Sequence, residues 1–197
     1  MPEFLLSRKT AFNLDAPVAG QWEGFGLAER PDERVWWLST PRDAGEAFAA
    51  AMRNAFGFEP PPAGRFVDDG EGAVRLAFAG ERQWFLFGAP AELPKNLDAA
   101  SCATDQSDGW VGLTLEGAMA REVLCRLCPL DLHPDAFPAG SAARSPFEGM
   151  LALIACEDVS AGRYAVHFQR SSARSFLDHV RHAASSVCGA PESGPAH

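Results

Sequence analysis

The chain has 197 residues, about one to one and a half typical domains. Apolar residues make up 47% of the sequence and charged residues 22%, so the chain can bury a sizeable core and is not disordered throughout. The 26 acidic and 17 basic residues give a formal net charge of −9, which argues against nucleic acid or an anionic membrane as the main partner because both are negative. No apolar run approaches the ~18–20 residues of a membrane span. The N-terminus has no basic region followed by a long apolar one, so no signal peptide is expected and the sequence predicts a cytoplasmic protein.

The first half of the chain predicts a lead-in and one compact unit. Residues 1–33 carry no strong periodicity and are interrupted by glycines, so an irregular or short-stranded lead-in is expected. Residues 34–101 have the alternation and helical spacing of a β-α-β-β-α unit. Its predicted elements are a strand at 34–39, a helix from Pro41 to Gly57 with Thr40 as N-cap, a loop at 59–72, a hairpin of strands at 74–78 and 83–87, and a short helix within 90–99.

The same order of elements recurs in residues 102–188. The first helices of the two units begin near Pro41 and Ala118, which are 77 residues apart. The predicted elements of the second unit are a strand at 110–116, a helix between Gly117 and Pro129, a loop at 129–145, strands at 147–156 and 164–168, and a last helix capped by Ser171 or Ser172. Residues 189–197 are rich in Gly, Pro and Ser, so a flexible tail is expected. The sequence therefore predicts an α+β fold with duplicated β-α-β-β-α units, a ferredoxin-like pair packed as one compact domain.

Two of the five cysteines form a C-x-x-C motif, Cys125 and Cys128. A zinc site usually needs four ligands, and the sequence has no second C-x-x-C. A redox pair normally opens a helix, where the helix dipole lowers the thiol pKa, whereas this pair lies at the end of a helical pattern. We therefore expect packed core thiols with no metal.

Two blocks of sequence carry a resemblance to a known family. The segment 104–132, TDQSDGWVGLTLEGAMAREVLCRLCPLDL, combines an Asp-x-Ser, an alternating strand, a Gly and a helix. The second block holds AARS at 142–145, before the predicted strand 147–156, and QRSSARSF at 169–176, after the last predicted strand. Over residues 103–183 the chain resembles the gamma subunit of heterotetrameric sarcosine oxidase. It is more distantly similar to the folate-binding aminomethyltransferases, the family of the glycine-cleavage T-protein.

The resemblance implies a non-catalytic structural subunit of an oxidoreductase complex in sarcosine catabolism. Such a complex oxidatively demethylates sarcosine to glycine, passes the one-carbon unit to tetrahydrofolate and makes hydrogen peroxide. Large and medium subunits that contain flavin and a small zinc-binding subunit would be the partners, and FAD, FMN, NAD, tetrahydrofolate and zinc would be held by them. No cofactor and no catalytic residue are expected in this chain, with no nucleic-acid or membrane partner.

The departures from the aminomethyltransferases support a subunit without folate chemistry. Active members carry paired acidic residues after the matching Arg, whereas Arg144 is followed by SPFEGML, with Glu148 alone. The family's usual Asn after the last strand is replaced by the run His167-Phe168-Gln169. Two alternatives stay open: a stand-alone folate- or anion-binding protein of the aminomethyltransferase type, and the small subunit of an N-methylglutamate-type dehydrogenase.

Six residues are candidates for contacts with a ligand or a partner. Arg170 and Arg174 flank the start of the last helix, where free N–H groups favour anions, and Arg181 lies seven residues beyond Arg174 on the same helix face. His167 alternates with the apolar residues of its strand, so it is expected on the opposite face, exposed and available for contact. Asp105 and Ser107 have two interpretations, either a turn in which short polar side chains bond nearby N–H groups, or the relic of a ligand site.

Overall fold

The computed structural model describes residues 10–12 and 16–191. The described residues form eleven strands, four α-helices and one short 3-10 helix. In chain order these are β1 (Ala19–Trp22), β2 (Phe25–Arg30), β3 (Val35–Ser39), α1 (Gly45–Phe56), β4 (Phe66–Asp68), β5 (Arg75–Gly80), β6 (Gln83–Phe87), α2 (Lys95–Ala100), β7 (Cys102–Asp105), β8 (Trp110–Glu116), α3 (Ala120–Cys125), β9 (Ala142–Phe147), β10 (Met150–Asp158), β11 (Arg163–Gln169), the 3-10 helix (Arg170–Ser172) and α4 (Ala173–Cys188). No helix in this part of the chain is long and apolar enough to cross a membrane.

The strands form two antiparallel sheets. The six-stranded sheet has the order β1-β2-β8-β11-β10-β9, and the five-stranded sheet has the order β4-β5-β6-β3-β7. A connection of only four residues, 31–34, carries the chain from β2 in one sheet to β3 in the other. At its centre Asp32 takes a left-handed backbone conformation, with φ of 60°.

The sheets pack face to face, and helices cover their outer faces. The core between the sheets includes Val35, Phe85 and Phe87 from one side and Leu153 and Ala165 from the other. Helices α3 and α4 pack on the six-stranded sheet and α1 and α2 on the five-stranded sheet, each over a separate apolar cluster. Most strands therefore bury both faces, so the polar face of an alternating strand is not a solvent face in this protein.

The two sheets repeat one arrangement with different strand counts. Strands β8, β9, β10 and β11 take the places in the six-stranded sheet that β3, β4, β5 and β6 take in the five-stranded sheet. Next to β8 lies β2, in the place that β7 occupies next to β3. The α+β fold with two antiparallel sheets agrees with the sequence prediction.

The membership of the two units differs from the predicted boundaries. The lead-in 1–33 contains β1 and β2, which complete the second unit's sheet, whereas β7, at the start of the predicted unit 102–188, completes the first unit's sheet. Both exchanges are long-range pairings that local periodicity does not encode. Residues 1–9 and 13–15 of the lead-in, and residues 192–197 of the predicted tail, lie outside the described residues.

Some element boundaries also differ from the sequence prediction. Helix α1 begins at Gly45 rather than at Pro41, because Pro41 to Ala44 form a turn in which the Ala44 N–H donates to the Pro41 carbonyl at 3.2 Å. No side-chain hydrogen bond caps α1 or α4, so Thr40 and Ser172 do not act as predicted. Strands β4 and β9 fall in segments predicted as loops.

Candidate functional site

Four charged residues and one histidine meet between the two sheets; we call Arg30, Glu33, Arg75, Glu157 and His167 the inter-sheet cluster. Arg30 is the last residue of β2 and Glu33 lies in the connection from β2 to β3, while Arg75, Glu157 and His167 lie on β5, β10 and β11. The cluster therefore joins both sheets and their connection. The side chains of Arg75, Glu157 and His167 lie between the sheets because a second sheet covers that face of their strands, and ionised groups in such a place need partners.

Arg75 is the central donor of the inter-sheet cluster. Its side chain is 8% exposed, and its two terminal nitrogens donate to Glu33 and to Glu157. Arg30 adds a second cation, with Nη2 at 2.7 Å from both oxygens of Glu157 and Nη1 at 3.7 Å from Glu33 Oε1. Two arginines thus neutralise two carboxylates across the sheets.

Glu33 also pairs with His167. The Nε2 atom of His167 lies 2.6 Å from Glu33 Oε2, and the histidine ring stacks on Phe87 with centroids 4.0 Å apart. Burial alone would raise the pKa of Glu33, but attraction to His167, Arg75 and Arg30 outweighs it and lowers that pKa to about 2. Burial lowers the pKa of His167 against the pull of Glu33. Glu33 is therefore a carboxylate near neutral pH, and a neutral His167 donates its Nε2–H to it.

A glycine in β8 makes room for this pair. A Cβ atom added at Gly112 would lie 2.9 Å from both Glu33 Oε2 and His167 Nε2. Real Cβ contacts are not that short, so a side chain at position 112 would push the pair apart. The glycine is a packing requirement of the inter-sheet cluster.

The carboxylates and arginines of the cluster pair with one another. Glu33 and Glu157 are bound by arginines, and the proton on His167 Nε2 is engaged by Glu33. Two buried atoms of the cluster, His167 Nδ1 and Arg75 Nε, have no hydrogen-bond partner within the described part of the chain. A general acid or base must exchange a proton with a substrate, and the ionisable oxygens here face arginine instead.

Two clefts open beside the cluster. The first, of about 320 Å³, includes Glu29, Asp32 and Glu33 against Arg30 and Arg170 in its walls. The second, of about 340 Å³, has Arg30, Arg75 and Arg163 facing Asp68, Glu71 and Glu157. Both clefts balance or outnumber their arginines with carboxylates, so neither has the excess positive charge that an anionic ligand prefers.

Asp105 and Ser107 form a turn. Asp105 Oδ1 accepts hydrogen bonds from the Ser107 N–H at 2.9 Å and from the Ser107 hydroxyl at 2.5 Å. The Ser107 hydroxyl in turn accepts from the Val35 N–H at 3.1 Å, and Arg34 lies 3.3 Å from Asp105 Oδ2. The hydrogen bond from Ser107 lowers the pKa of Asp105. This geometry is that of the turn interpretation, although Ser107 also lines the first cleft.

The four other candidate residues do not form one group. His167 is only 2% exposed and faces the opposite sheet, so the expectation that it is exposed for contact is wrong. Its face was predicted correctly, but a second sheet covers that face. Arg170 is half-buried, lines the first cleft and donates to the Thr10 carbonyl at 3.2 Å. Arg174 and Arg181 are exposed on α4.

The two cysteines of the C-x-x-C motif differ in burial. Cys128 is buried and its thiol donates to the Leu124 carbonyl at 3.4 Å, as expected of a packed thiol. Cys125 is exposed, because α3 ends there and turns its side chain outward, so that half of the prediction is wrong. Burial raises the pKa of both thiols.

Sequence reasoning did not find the arginines and glutamates of the inter-sheet cluster. Glu33 and His167 alone are 134 positions apart, so no local motif joins the members of the cluster. One signal was present: charged residues alternate with small ones on the faces opposite the apolar stripes, as Arg75 does with Ala77 and Ala79 and His167 does with Ala165. Small residues on a strand face are typical of a face that another sheet covers closely.

Comparisons with solved structures agree with the fold. A chain of the heterotetrameric sarcosine oxidase from Corynebacterium sp. U-96, solved in complex with pyrrole 2-carboxylate, superposes with a TM-score of 0.73 at 23% identity, over 90% of this chain and 91% of that one. The glycine cleavage system aminomethyltransferase T from Bartonella henselae superposes with a TM-score of 0.56 at 14% identity, over 80% of this chain and 45% of that one. At these identities the likeness shows the fold alone.

Comparison with sequence families identifies the chain. No curated protein sequence matches it. The family model described as sarcosine oxidase, gamma subunit family, matches residues 41–186, which span α1 to α4 and include all of the inter-sheet cluster except Arg30 and Glu33. The match covers well over half of the chain, and the chain belongs to the sarcosine oxidase gamma subunit family.

Proposed function

We propose that this chain is a non-catalytic structural subunit of a cytoplasmic, heterotetrameric sarcosine oxidase. In this proposal the complex oxidatively demethylates sarcosine to glycine, transfers the one-carbon unit to tetrahydrofolate and produces hydrogen peroxide. Large and medium flavin-containing subunits and a small zinc-binding subunit are the partners. Family membership supports the proposal, and so does the superposition on a chain of a heterotetrameric sarcosine oxidase.

The mutual pairing of the inter-sheet cluster is the observation that carries the non-catalytic role. Glu33 and Glu157 are the two acids of the cluster, and both pair with Arg75. An ion-pair network of this kind fixes the relative position of the two sheets and holds both carboxylates against arginines, so neither carboxylate is free to exchange a proton with a substrate. A rigid body that other subunits pack against is the role that such an arrangement suits.

Folate, which the aminomethyltransferase fold implies, does not fit the residues of the first cleft. The glutamate tail of folate carries two carboxylates at neutral pH. The first cleft would meet them with Glu29, Asp32 and Glu33 against only Arg30 and Arg170. Like charges at close range disfavour such a complex. We therefore assign tetrahydrofolate to a partner subunit, and on the ground of family membership we assign FAD, FMN, NAD and zinc to partner subunits as well.

Co-expression tests this proposal. The chain, carrying an affinity tag, is produced together with the large, medium and small subunits of a sarcosine oxidase from the same genome. We expect all four to co-purify in equal amounts, with flavin absorbance and sarcosine-dependent peroxide formation. The isolated chain is expected to show neither. Absence of the other subunits from the purified fraction, or flavin that stays with the isolated chain through gel filtration, would contradict the proposal.

The same preparation separates the alternatives. Titration of the isolated chain with tetrahydrofolate tests the stand-alone folate-binding function, and saturable binding would favour it. Replacing sarcosine by N-methylglutamate in the assay of the complex tests the dehydrogenase alternative, which a higher kcat/KM for N-methylglutamate would favour.

A further inference from the structure

The outer edge of β7 is open among the described residues. β7 is the last strand of the five-stranded sheet and pairs on one side with β3. We propose that an extended segment of a partner subunit adds to this edge as an antiparallel strand. The inference rests on the proposed function, because it names one surface through which the subunit would join its complex.

The register shows which backbone groups face outward. The Gln106 N–H donates to the Val35 carbonyl at 2.7 Å, so position 106 faces β3. Backbone direction alternates along an antiparallel strand, so Thr104 and Cys102 face β3 as well. Ala103 and Asp105 therefore direct their N–H and carbonyl groups away from the sheet, which offers an incoming strand two donors and two acceptors.

The internal repeat supplies an independent argument. In the six-stranded sheet β2 takes the place that β7 takes in the five-stranded sheet, and β1 covers the outer edge of β2 through a hairpin from Ala19↔Ala28 to Trp22↔Phe25. No described strand covers β7 in the same way. The added segment would occupy at β7 the position that β1 occupies at β2.

The outer edges of β4 and β9 carry features that block strand addition. The edges of β4 and β9 meet, since the Phe66 N–H donates to the Gly140 carbonyl and the Ala142 N–H to the Gly64 carbonyl, each at 2.9 Å. The backbone N–H of Ala142 points away from β10, and this direction recurs every second residue, so position 146 also points away from the sheet. Position 146 is a proline, which has no N–H to donate to an added strand. β7 has neither feature.

The side chains of β7 suit a close approach by another backbone. Three of the four residues, Cys102, Ala103 and Thr104, are small, and the strand contains no lysine, arginine or proline. The single charge, Asp105, is already paired with Arg34 at 3.3 Å. An edge with these properties binds an extended peptide mainly through main-chain hydrogen bonds, with small side chains on either side adding little selectivity.

Amide hydrogen exchange gives the direct test. The isolated chain and the co-expressed complex are compared by mass spectrometry over a peptide that covers residues 101–106. We expect exchange at Ala103 and Asp105 to be fast in the isolated chain and slower by about tenfold or more in the complex, because a backbone hydrogen bond forms at each. Protection already present in the isolated chain, or equal exchange in both states, would overturn the inference.

A matched pair of variants tests the same edge by assembly. Ala103→Pro removes the outward N–H and leaves the pairing with β3, whereas Ala103→Ser changes the side chain and retains the N–H. We expect Ala103→Pro to lower the amount of co-purified partner by about tenfold, as the loss of a hydrogen bond and the insertion of a ring predict, and Ala103→Ser to retain it. Thermal unfolding of both isolated variants shows whether the Pro variant is folded. The exchange experiment on wild type decides the question if that variant does not fold.

The outcomes separate this inference from the proposed function. If the wild-type chain co-purifies with no partner, the proposed function fails. If the wild-type chain and Ala103→Pro co-purify equally and residues 101–106 gain no protection, only the strand addition fails. A dimer of the isolated wild-type chain that Ala103→Pro abolishes in sedimentation would show that a second copy, and not a partner subunit, pairs with β7.

Discussion

The carboxylate of Glu33 and the imidazole of His167 meet at 2.6 Å between the two sheets, although 134 positions separate them in the chain. Glu33 comes from the connection between the sheets and His167 from the middle of β11. The contact therefore forms only when both sheets and their connection are in place. Because Arg75 also binds Glu33, the pair belongs to a network that reports on the packing of the whole protein.

Acid should destabilise the protein through both members of this pair. The pKa of Glu33 falls from 4.5 to about 2 on folding, so its contribution to stability is complete above pH 4.5 and is lost as the pH falls towards 2. The folded-state pKa of His167 also lies below its ordinary 6.5, so the unfolded chain takes up a proton first as the pH drops below 6.5. Urea unfolding at several pH values should show stability falling from pH 6.5 downward, with on the order of 3 kcal/mol assignable to Glu33 between pH 4.5 and 2. Glu33→Gln should flatten the curve in the lower window, and an unchanged curve would contradict the assignment.

Gly112→Ala should destabilise the protein through the same pair. The new Cβ would lie 2.9 Å from Glu33 Oε2 and from His167 Nε2, so the two side chains must separate. We expect a loss of roughly 1–3 kcal/mol, the usual range for overpacking. Gly45→Ala is the matched control, because nothing lies within 4 Å of a Cβ at that position and α1 begins there. Chemical denaturation of both variants measures the difference, and equal stabilities would refute the packing argument.

Removing Arg75 should cost more than removing a surface arginine. Arg75→Met leaves the buried carboxylates of Glu33 and Glu157 with only part of their compensation, and breaking a buried ion pair in this way typically costs about 3–5 kcal/mol. Arg53→Met is the control, because the pair of Arg53 with Glu59 is exposed and should be worth about 1 kcal/mol or less. If both variants unfold at the same urea concentration, the buried network does not stabilise the fold.

Local sequence patterns predict only part of this arrangement. Alternation correctly placed the β5–β6 hairpin and β11, because an apolar stripe on one strand face is a local pattern. The same alternation predicted an exposed His167, since a single strand cannot show whether a second sheet covers its polar face. The turn formed by Asp105 and Ser107 was within reach of sequence, because their hydrogen bonds span two residues.

Pairing between residues far apart in the chain leaves no local pattern in the sequence. β2 joins β8 across more than 80 positions, and Arg75 reaches Glu157 across 82. Short strands such as β4 and β7 have too few residues for a periodic signal, so they were not predicted as strands. The pairing of charges followed from that topology and could not be found before it.

The two cysteines of the C-x-x-C motif should respond differently to substitution. Cys128→Ala removes a buried thiol that contacts the apolar core and should cost about 1–3 kcal/mol. Cys125→Ser changes an exposed side chain and should alter stability by about 0.5 kcal/mol or less. Urea unfolding measures both effects. Elemental analysis of wild type and the double variant should give the same zinc content, and stoichiometric zinc that the double variant lacks would contradict the packed-thiol interpretation.

The exposed arginines of α4 are the last candidates for a contact with another subunit. Arg174 and Arg181 are seven residues apart on one helix, so their side chains share a face, and among the described residues neither takes part in an ion pair. Arginine is enriched at interfaces because its planar group pairs with carboxylates. Against the chain's net charge of −9, two exposed cations on one helix face are a candidate contact for carboxylates of another subunit. Arg170, predicted with them, is half-buried against Thr10, so its reversal would test folding rather than assembly.

Charge reversal therefore uses the two exposed positions. Arg174→Glu combined with Arg181→Glu should leave the unfolding temperature of the isolated chain nearly unchanged, because both side chains are exposed, and should lower the amount of partner subunit that co-purifies. Arg121→Glu combined with Arg126→Glu is the control at α3 and its C-cap, where both arginines are exposed as well. Arg126 lies 3.6 Å from Glu122 in an exposed ion pair, whose loss should cost about 1 kcal/mol or less. If the α4 variant recovers its partners in full while the isolated chain remains folded, these arginines are solvated surface residues and the interface lies elsewhere.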